Sequence, residues 1–306
     1  MSALHGTVKK FMSNKSACIS LAVVMIYLLT ALFFETVSAA AELNNSVPCY
    51  QKTSANIYAP PSLNYLMGTD YQGRSVLLRA AAASSTALKV GFVSGVIAAV
   101  IGVSLGAAAG FYGGKTDDIV VWIYSTIASM PSLLFILAFA LLVSRNYLAP
   151  VLMETVKTVS ACLRVEPGTF AVYCAIGLTG WVSLCRTIRA ETMKLKKMSY
   201  VEAAKVAGTP SYVILMRHIL PNVFHLVIIY FTLTFAGAVM MEVIVSYLGF
   251  GVQNAPSWGV MISDGQEQLW KGIYWELGAA TLFLFILILA LNILGDALRD
   301  IFDPEN

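Results

Sequence analysis

The chain has 306 residues, of which 58% are hydrophobic and only 12% charged, with a mean hydropathy of +0.74 and a net charge of +3. A soluble globular domain carries about 25% charged residues; half that share, joined to repeated apolar runs of membrane-spanning length, excludes such a domain and describes a polytopic membrane protein. So small a net charge gives no reason to expect nucleic acid as a partner.

Apolar runs predict six spans, near 17–34, 87–112, 118–143, 169–187, 223–248 and 275–296. Six spans put both termini on one side. If the N-terminus is cytoplasmic, that side holds twelve of the 20 Lys and Arg residues, among them Lys9, Lys10, Lys15, Lys115 and Arg299. Seven of the twelve (Arg186, Arg189, Lys194, Lys196, Lys197, Lys205 and Arg217) crowd into the single connection 186–218. The bias predicts both termini on the cytoplasmic side. The first run has a rival reading, because three lysines precede it and "VSAAAE" after it offers small residues like those of a signal-peptidase site. It exceeds the roughly 7–15 residues of a signal-peptide core, so it reads as a retained span.

The five cysteines show no CxxC or metal-ligand spacing. Cys18, Cys174 and Cys185 fall in spans, where the thiol behaves as a small apolar group. Cys49 and Cys162 fall in predicted external connections; an oxidising compartment permits a disulfide between them, but spacing does not demand one.

Span two carries Gly91, Gly95, Gly102, Gly106 and Gly110. Spacing of four places them on shared helix faces and predicts close backbone approach by a neighbouring helix, in this chain or another. "AGFYGGKT" at 109–116 misses the phosphate-cradling G-x-x-x-x-G-K-[ST] by its first residue and follows a span rather than a strand. It reads as a tight turn between spans two and three, and the chain is not expected to bind ATP by itself. In the connection 144–168, Leu148, Leu152, Val156, Val159 and Leu163 recur at helical spacing, with Glu154, Lys157 and Arg164 elsewhere. That pattern predicts an amphipathic helix at the outer surface, either a spacer or a contact for an external partner.

The connection 199–222, "SYVEAAKVAGTPSYVILMRHILPN", has a complete local grammar. Ser199 followed by Glu202 is a capping-box pattern. Ala203, Ala204 and Ala207 give a short helix with a small-residue face, and Gly208 supplies a left-handed stop. Thr209-Pro210 predicts a restart with Thr as N-cap and Pro at N1, and a second helix ending near Pro221-Asn222 where span five begins. Connectors between spans are usually short, so two helices in one connector point to a docking surface. Glu242 is the clearest ionisable residue at membrane depth; snorkelling from the outer end of span five competes with a functional role. Asp296, Arg299 and Asp303 at the end of span six are spaced as a solvated charge ladder.

Enzymatic motifs are missing. The three histidines, His5, His218 and His225, form no H-E-x-x-H, and no G-x-S-x-G elbow occurs. The spans lack a row of acids for proton relay and the paired broken helices of secondary carriers. Energy for any transport has to come from outside the chain.

Here the residues resemble a known family. "EAAKVAGTPSYVILMRHILPN" is similar to the EAA loop of permease subunits in ABC importers, the segment that sits in a cleft of the ATPase subunit, with Glu202, Ala203, Ala204, Gly208, Leu220 and Pro221 at matching positions. His218 and Asn222 agree with the R-H-I-L-P-N of the peptide-transporter branch. "MGTDYQGRSVLLR" resembles that branch's G-T-D-x-x-G-R-D-V, with Gly68, Thr69, Asp70, Gly73 and Arg74 in place and Ser75 departing from the usual Asp. "LGFGVQNAPSWG", with Pro256, Trp258 and Gly259, and "LNILGDALRDIFDP" resemble its external loop and its C-terminal end. Together they resemble the C-type permeases of dipeptide, oligopeptide and nickel importers. Lys89 is the only charge where the branch usually has a glycine-arginine pair, and 144–168 is longer than usual.

The resemblance implies an all-α, six-span, type I ABC importer transmembrane fold: an N-terminal region over 1–86 and a transmembrane domain over 87–306, with its coupling loop at 186–222. It implies a permease in the bacterial cytoplasmic membrane, embedded in lipid, that forms a translocation path with a second, homologous permease. Two ABC ATPase subunits holding ATP and Mg, and an extracytoplasmic solute-binding protein, would complete the system, and this chain itself would carry no cofactor. Di- or oligopeptides are the first substrate class implied; nickel complexes or another small solute of the branch are the second. A membrane scaffold that docks an ATPase without transporting, and an ion-coupled carrier, are the rival classes.

Overall fold

The computed structural model describes residues 14–145, 147, 150–252 and 255–302. Lys9, Lys10, His5, Leu148 and Asp303, invoked above, lie outside the described residues. Eleven α-helices are described, with no strand among these residues: α1 (Lys15–Leu43), α2 (Val76–Tyr112), α3 (Gly114–Ser129), α4 (Ser132–Ser144), α5 (Pro150–Cys162), α6 (Pro167–Leu195), α7 (Ser199–Val206), α8 (Ser211–Ile214), α9 (Leu220–Tyr247), α10 (Trp258–Gln268) and α11 (Trp275–Phe302). Short 3-10 turns lie at Cys49–Gln51 and Leu269–Lys271, and a π-helical turn spans Leu215–Ile219 between α8 and α9.

Among the described residues, five helices are long and apolar enough to cross a membrane: α1, α2, α6, the continuous run Ser211–Tyr247, and α11. The sixth predicted span, 118–143, is not one helix. It is α3 and α4, bent by 89°. Pro131 is the cause: it forces Met130 into extended backbone (φ −86°, ψ 137°) and itself sits at φ −61°, ψ 113° ahead of Ser132. The span near 87–112 begins earlier than expected, at Val76, so the proposed 86/87 boundary falls inside α2. At 1.5 Å per residue its 37 residues reach about 56 Å, well beyond the ~30 Å of a bilayer's hydrocarbon core.

The α2 glycines have their neighbours within this chain. A Cβ on Gly102, Gly106 or Gly110 would come within 2.6–3.0 Å of the backbone oxygens of Trp181, Cys185 and Arg189, three successive turns of α6. Gly91 and Gly95 receive the rings of Phe235 and Phe231 from α9. Helix α2 is thus the central post, held between α6 and α9 by small residues. Helix α1 lies outside it, fixed by the Tyr27 hydroxyl donating to the Phe283 carbonyl of α11 (2.8 Å).

"AGFYGGKT" is the tight turn expected. Gly113 and Gly114 adopt φ +69° and +53° with open space around them, and α3 starts at once. The bidentate pair of Arg189 with Asp117 (Nη2 to Oδ2 2.6 Å, Nε facing Oδ1) ties the first turn of α3 to α6.

Helix α5 forms where an amphipathic helix was expected, with its buried face rotated in part: Val156 and Leu163 of the expected face pack inward, half-buried. Met153 and Ser160 are buried and Val156 is half-buried, against Val143 and Ala171; Leu152 and Val159 point outward. Packing on α4 and α6 selects the Met153 side because those helices offer an apolar seat there. The five cysteines are all free, so Cys49 and Cys162 are not joined. Asp296 and Arg299 are exposed and form no ion pair among the described residues.

Candidate functional site

The predicted site residues gather at opposite ends of the bundle. At one end, which carries the basic connection between α6 and α9, stands α7. It is a two-turn helix stopped by Gly208 at φ +77°, with Gly208 N–H donating to the Lys205 carbonyl (3.0 Å) and Thr209 N–H to the Ala204 carbonyl (3.1 Å). This pair of bonds is the Schellman motif, and it satisfies carbonyls that the helix end leaves open. The start of α7 differs from expectation. Met198 is the N-cap, Ser199 is already helical, and no side chain caps the end; Glu202 is exposed with no internal partner among the described residues. The Thr209 cap is likewise not formed, since Pro210 precedes the first helical residue of α8.

Nor does the second helix end at Pro221-Asn222. It runs through a π turn at Leu215–Ile219 into α9. Proline at 221 cannot donate to a carbonyl four residues back and would crowd it, and the wider turn just before it relieves both problems. Asn222 Nδ2 donates to the His218 carbonyl (2.7 Å) and to the Tyr200 hydroxyl (3.2 Å), and the Tyr200 and His218 rings lie 6.4 Å apart, tilted. These contacts join α7 to the π turn.

Beneath α7, Val201, Ile214, Ile219 and Val223 are fully buried and pack with Ile188 and Leu184 of α6 and with Phe111 of α2. Each such side chain contributes about 1.5–3 kcal/mol relative to exposure. The ammonium groups of Lys196, just before α7, and Lys205, in its last turn, lie 5.8 and 6.0 Å from the Phe111 ring centre at the end of α2. Above this core, Tyr200, Val206, Tyr212 and Met216 are exposed, Val206 at 90%. Leu220 and Ala204 are half-buried, while Ala203 is exposed with Glu202. The result is a short projecting helix with an open apolar face and a buried root in three long helices.

At the opposite end the external motifs form a framework around a buried ion cluster. Asp70 is fully buried. Its Oδ1 accepts from the backbone N–H of Gln72 (2.9 Å) and Arg74 (2.8 Å), and its Oδ2 meets Arg74 Nε (2.7 Å) and Arg79 Nη1 (2.6 Å). Arg79, 5% exposed, also pairs with Glu276 (2.8 Å) at the start of α11 and lies 3.7 Å from Asp264 of α10. Burial raises the Asp264 carboxyl above the usual carboxylate range, against the opposing pull of Arg79. Gly68 and Gly73, at φ +71° and +74°, leave no room for a Cβ, which would meet the Ala59 and Ser54 carbonyls at 2.6 and 2.2 Å. Thr69 donates to the Asn56 carbonyl (2.7 Å), and Trp275 Nε1 donates to the Thr69 carbonyl (2.9 Å).

Glu242 does not snorkel. It is 1% exposed and accepts from the hydroxyls of Ser246 (2.7 Å) and Ser257 (2.9 Å). Those serines accept in turn from the N–H of Val252 and Gly259 (both 3.1 Å), so the carboxyl organises the loop leading into α10. The same loop is stapled to α2 by Trp258 Nε1 on the Ala80 carbonyl (2.8 Å) and by the Thr86 hydroxyl on the Pro256 carbonyl (2.7 Å). Sequence reasoning missed Arg79, Asp264, Glu276 and the serine pair. An arginine one turn into an apolar run was the available signal.

This arrangement, a rooted projecting helix at one end and a pinned loop framework at the other, invites comparison with known transport proteins. The family of binding-protein-dependent transport system inner membrane components matches the chain over residues 102–306. The chain belongs to this family. It is 32% identical to the oligopeptide transport system permease protein OppC of Haemophilus influenzae over 305 residues, covering 97% of this chain and 87% of that protein. It is 32% identical to the dipeptide transport system permease protein DppC of Bacillus subtilis over 287 residues, covering 93% and 82%. To OppC of Escherichia coli it is 29% identical over 302 residues, covering 97% and 90%. As a member of this family the chain is a multi-pass transport permease, and its all-α bundle is the type I ABC importer transmembrane fold.

Proposed function

We propose that the chain is the membrane-spanning permease subunit of an ATP-driven importer of di- or oligopeptides. It would form the path with a second, homologous permease, receive solute from an extracytoplasmic binding protein, and be driven by two separate ATPase subunits that hold ATP and Mg. The carrying observation is α7: a helix with an exposed apolar face, stopped sharply at Gly208, whose buried side shares one core with α2, α6 and α9. A partner that grips such a helix moves the spans beneath it. In this reading Glu202, Ala203, Ala204 and Gly208 form the face that meets the ATPase, and His218, Leu220, Pro221 and Asn222 transmit its motion into α9. The basic end lies in the cytoplasm with both termini, in keeping with the concentration of Lys and Arg there.

The motifs at the other end serve as a scaffold. Gly68, Thr69, Asp70, Gly73 and Arg74 build the ion-cluster loop, and Pro256, Trp258 and Gly259 pin the loop before α10, with Glu242 beneath it. The peptide assignment rests on the relatives named above. Uptake of labelled dipeptides, longer peptides and nickel in a strain lacking the chain tests it, together with co-purification of ATPase subunits from native membranes. Loss of peptide uptake with nickel uptake intact, and stoichiometric ATPase partners, are expected. Loss of nickel uptake alone, or purification without any ATPase, overturns the reading.

A further inference from the structure

A cavity of about 560 Å³ lies at the ion-cluster end, walled by the last turns of α1, the Cys49–Gln51 turn, the first half of α2 and the start of α6. Most of these walls precede residue 102, where the family match begins. Two hydroxyls on one face of α6 open into it: Thr169, 5% exposed, and Tyr173, 1% exposed. Neither hydroxyl has a hydrogen-bond partner among the described residues. Neither is among the fully enclosed unpaired side-chain atoms of the described residues, which are the Thr192 hydroxyl and Asp264 Oδ2, so both stay open to a molecule in the cavity. Both residues belong to the first two turns of a 29-residue helix that has no side-chain cap, so its positive dipole end lies beside the cavity. A second cavity of about 210 Å³ adjoins this helix start and shares Glu166 and Thr169 with the first.

Charges of both signs line the larger cavity. Lys89 Nζ lies 2.6 Å from Glu35, which also accepts from Ser85; Arg164 stands 3.9 Å from Glu42 at the rim, and Glu166 precedes the helix. Three carboxylates against two bases and a helix N-terminus leave the lining close to balanced. A bare anion would meet Glu35 and Glu166, and a bare cation would meet Lys89 and the helix end. A molecule carrying both charges satisfies both sets. The volume falls in the range of small-molecule sites, about 300–1,000 Å³. On the α1 side the wall presents Glu35, Ser38, Glu42 and Asn45 beside the apolar Phe34 and Ala41.

We propose that this cavity is a binding site, on the permease itself, for a short zwitterionic peptide, with its carboxylate at the Thr169 and Tyr173 hydroxyls and its ammonium among Glu35, Glu42 and Glu166. The peptide class rests on the import reading above; the zwitterion requirement rests on the cavity alone.

The test uses the purified full chain in phosphatidylcholine nanodiscs, without binding protein or ATPases, and equilibrium dialysis against radiolabelled trialanine. Saturable one-to-one binding is expected. N-acetyl-trialanine and trialanine amide, which each lack one charge, should bind at least tenfold more weakly. Tyr173→Phe and Thr169→Val, which keep shape and remove only the hydroxyl, should each weaken trialanine about two- to tenfold, the range of one net hydrogen bond. The absence of saturable binding, equal binding of the blocked peptides, or indifference to both substitutions overturns the proposal. So does retention of phosphatidylethanolamine by the wild-type chain and its loss in Tyr173→Phe, which would make a lipid headgroup the occupant. The blocked peptides need no variant, so a misfolded variant cannot hide the answer. Peptide uptake in cells with no binding to the isolated chain removes this site and leaves the importer reading standing.

Discussion

Arg79 holds three carboxylates at the end of α2, and the consequences are local and measurable. Arg79→Met leaves Asp70 and Glu276 buried with only Arg74 nearby, and breaking a buried pair in this way costs about 3–5 kcal/mol. The unfolding free energy of the purified chain in detergent should fall accordingly, while Arg299→Met, on an exposed side chain without an ion pair among the described residues, should shift it by less than about 0.5 kcal/mol. Asp264 gives the opposite sign. Its carboxyl is raised by burial, so the folded chain favours the protonated form; that contribution is complete below the ordinary carboxylate pKa of about 3.9 and is lost as pH rises through the raised folded value. Asp264→Asn should therefore raise the melting temperature at pH 7–8, by about 1–3 °C, and the two curves should meet near pH 4. A gain that persists unchanged at pH 4 would show that titration is not its cause. Glu202 is a third case. With no capping role in the structure, Glu202→Ala should leave stability within about 0.5 kcal/mol, and any loss of uptake must then appear as weaker ATPase co-purification.

Helices meet through what their sequences leave out. Gly106 approaches the Cys185 carbonyl so closely that an added Cβ would lie at 2.6 Å from backbone that cannot swing aside. Gly106→Leu should prevent α2 from seating on α6 and remove the chain from the membrane, seen as loss of folded protein on size-exclusion chromatography. Gly237→Ala, with open space around it, should be recovered normally. The spacing of these glycines was readable in the sequence, as were the spans, the turn at Gly113 and the stop at Gly208, because each depends on residues a few positions apart. The break at Pro131 was also a local signal, a proline inside an apolar run, masked by the length of that run. Other features were not local. Arg79 and Glu276 are separated by 197 positions, so nothing near Arg79 named its partner. Ser199 and Thr209 had the chemistry of caps, but the helix starts were shifted by a residue under packing of Val201 and Ile214, and burial outweighed about 1 kcal/mol of capping. Glu242 looked exposed because its serine partners come from the next turn and from a loop fifteen residues away.

Across the whole molecule, the two ends are built for different tasks. The ion cluster, the Glu242 serines and the Trp258 staple pin the loops at one end to α2, α9 and α11, which suits a surface that receives a partner without deforming. At the other end, α7 is attached through one buried core and otherwise exposed, which suits a part that is pushed. The proposal that an ATPase drives this permease through α7 meets its most direct test at Gly208. The residue needs φ +77°, which a side chain disfavours by about 1–2 kcal/mol, and a Cβ there would meet open space rather than the protein. Labelled tripeptide uptake should be measured in cells whose only copy carries Gly208→Asp, with the chain quantified in their membranes. Uptake should be lost while the chain accumulates at its normal level; uptake at the wild-type rate would mean that energy enters this permease elsewhere.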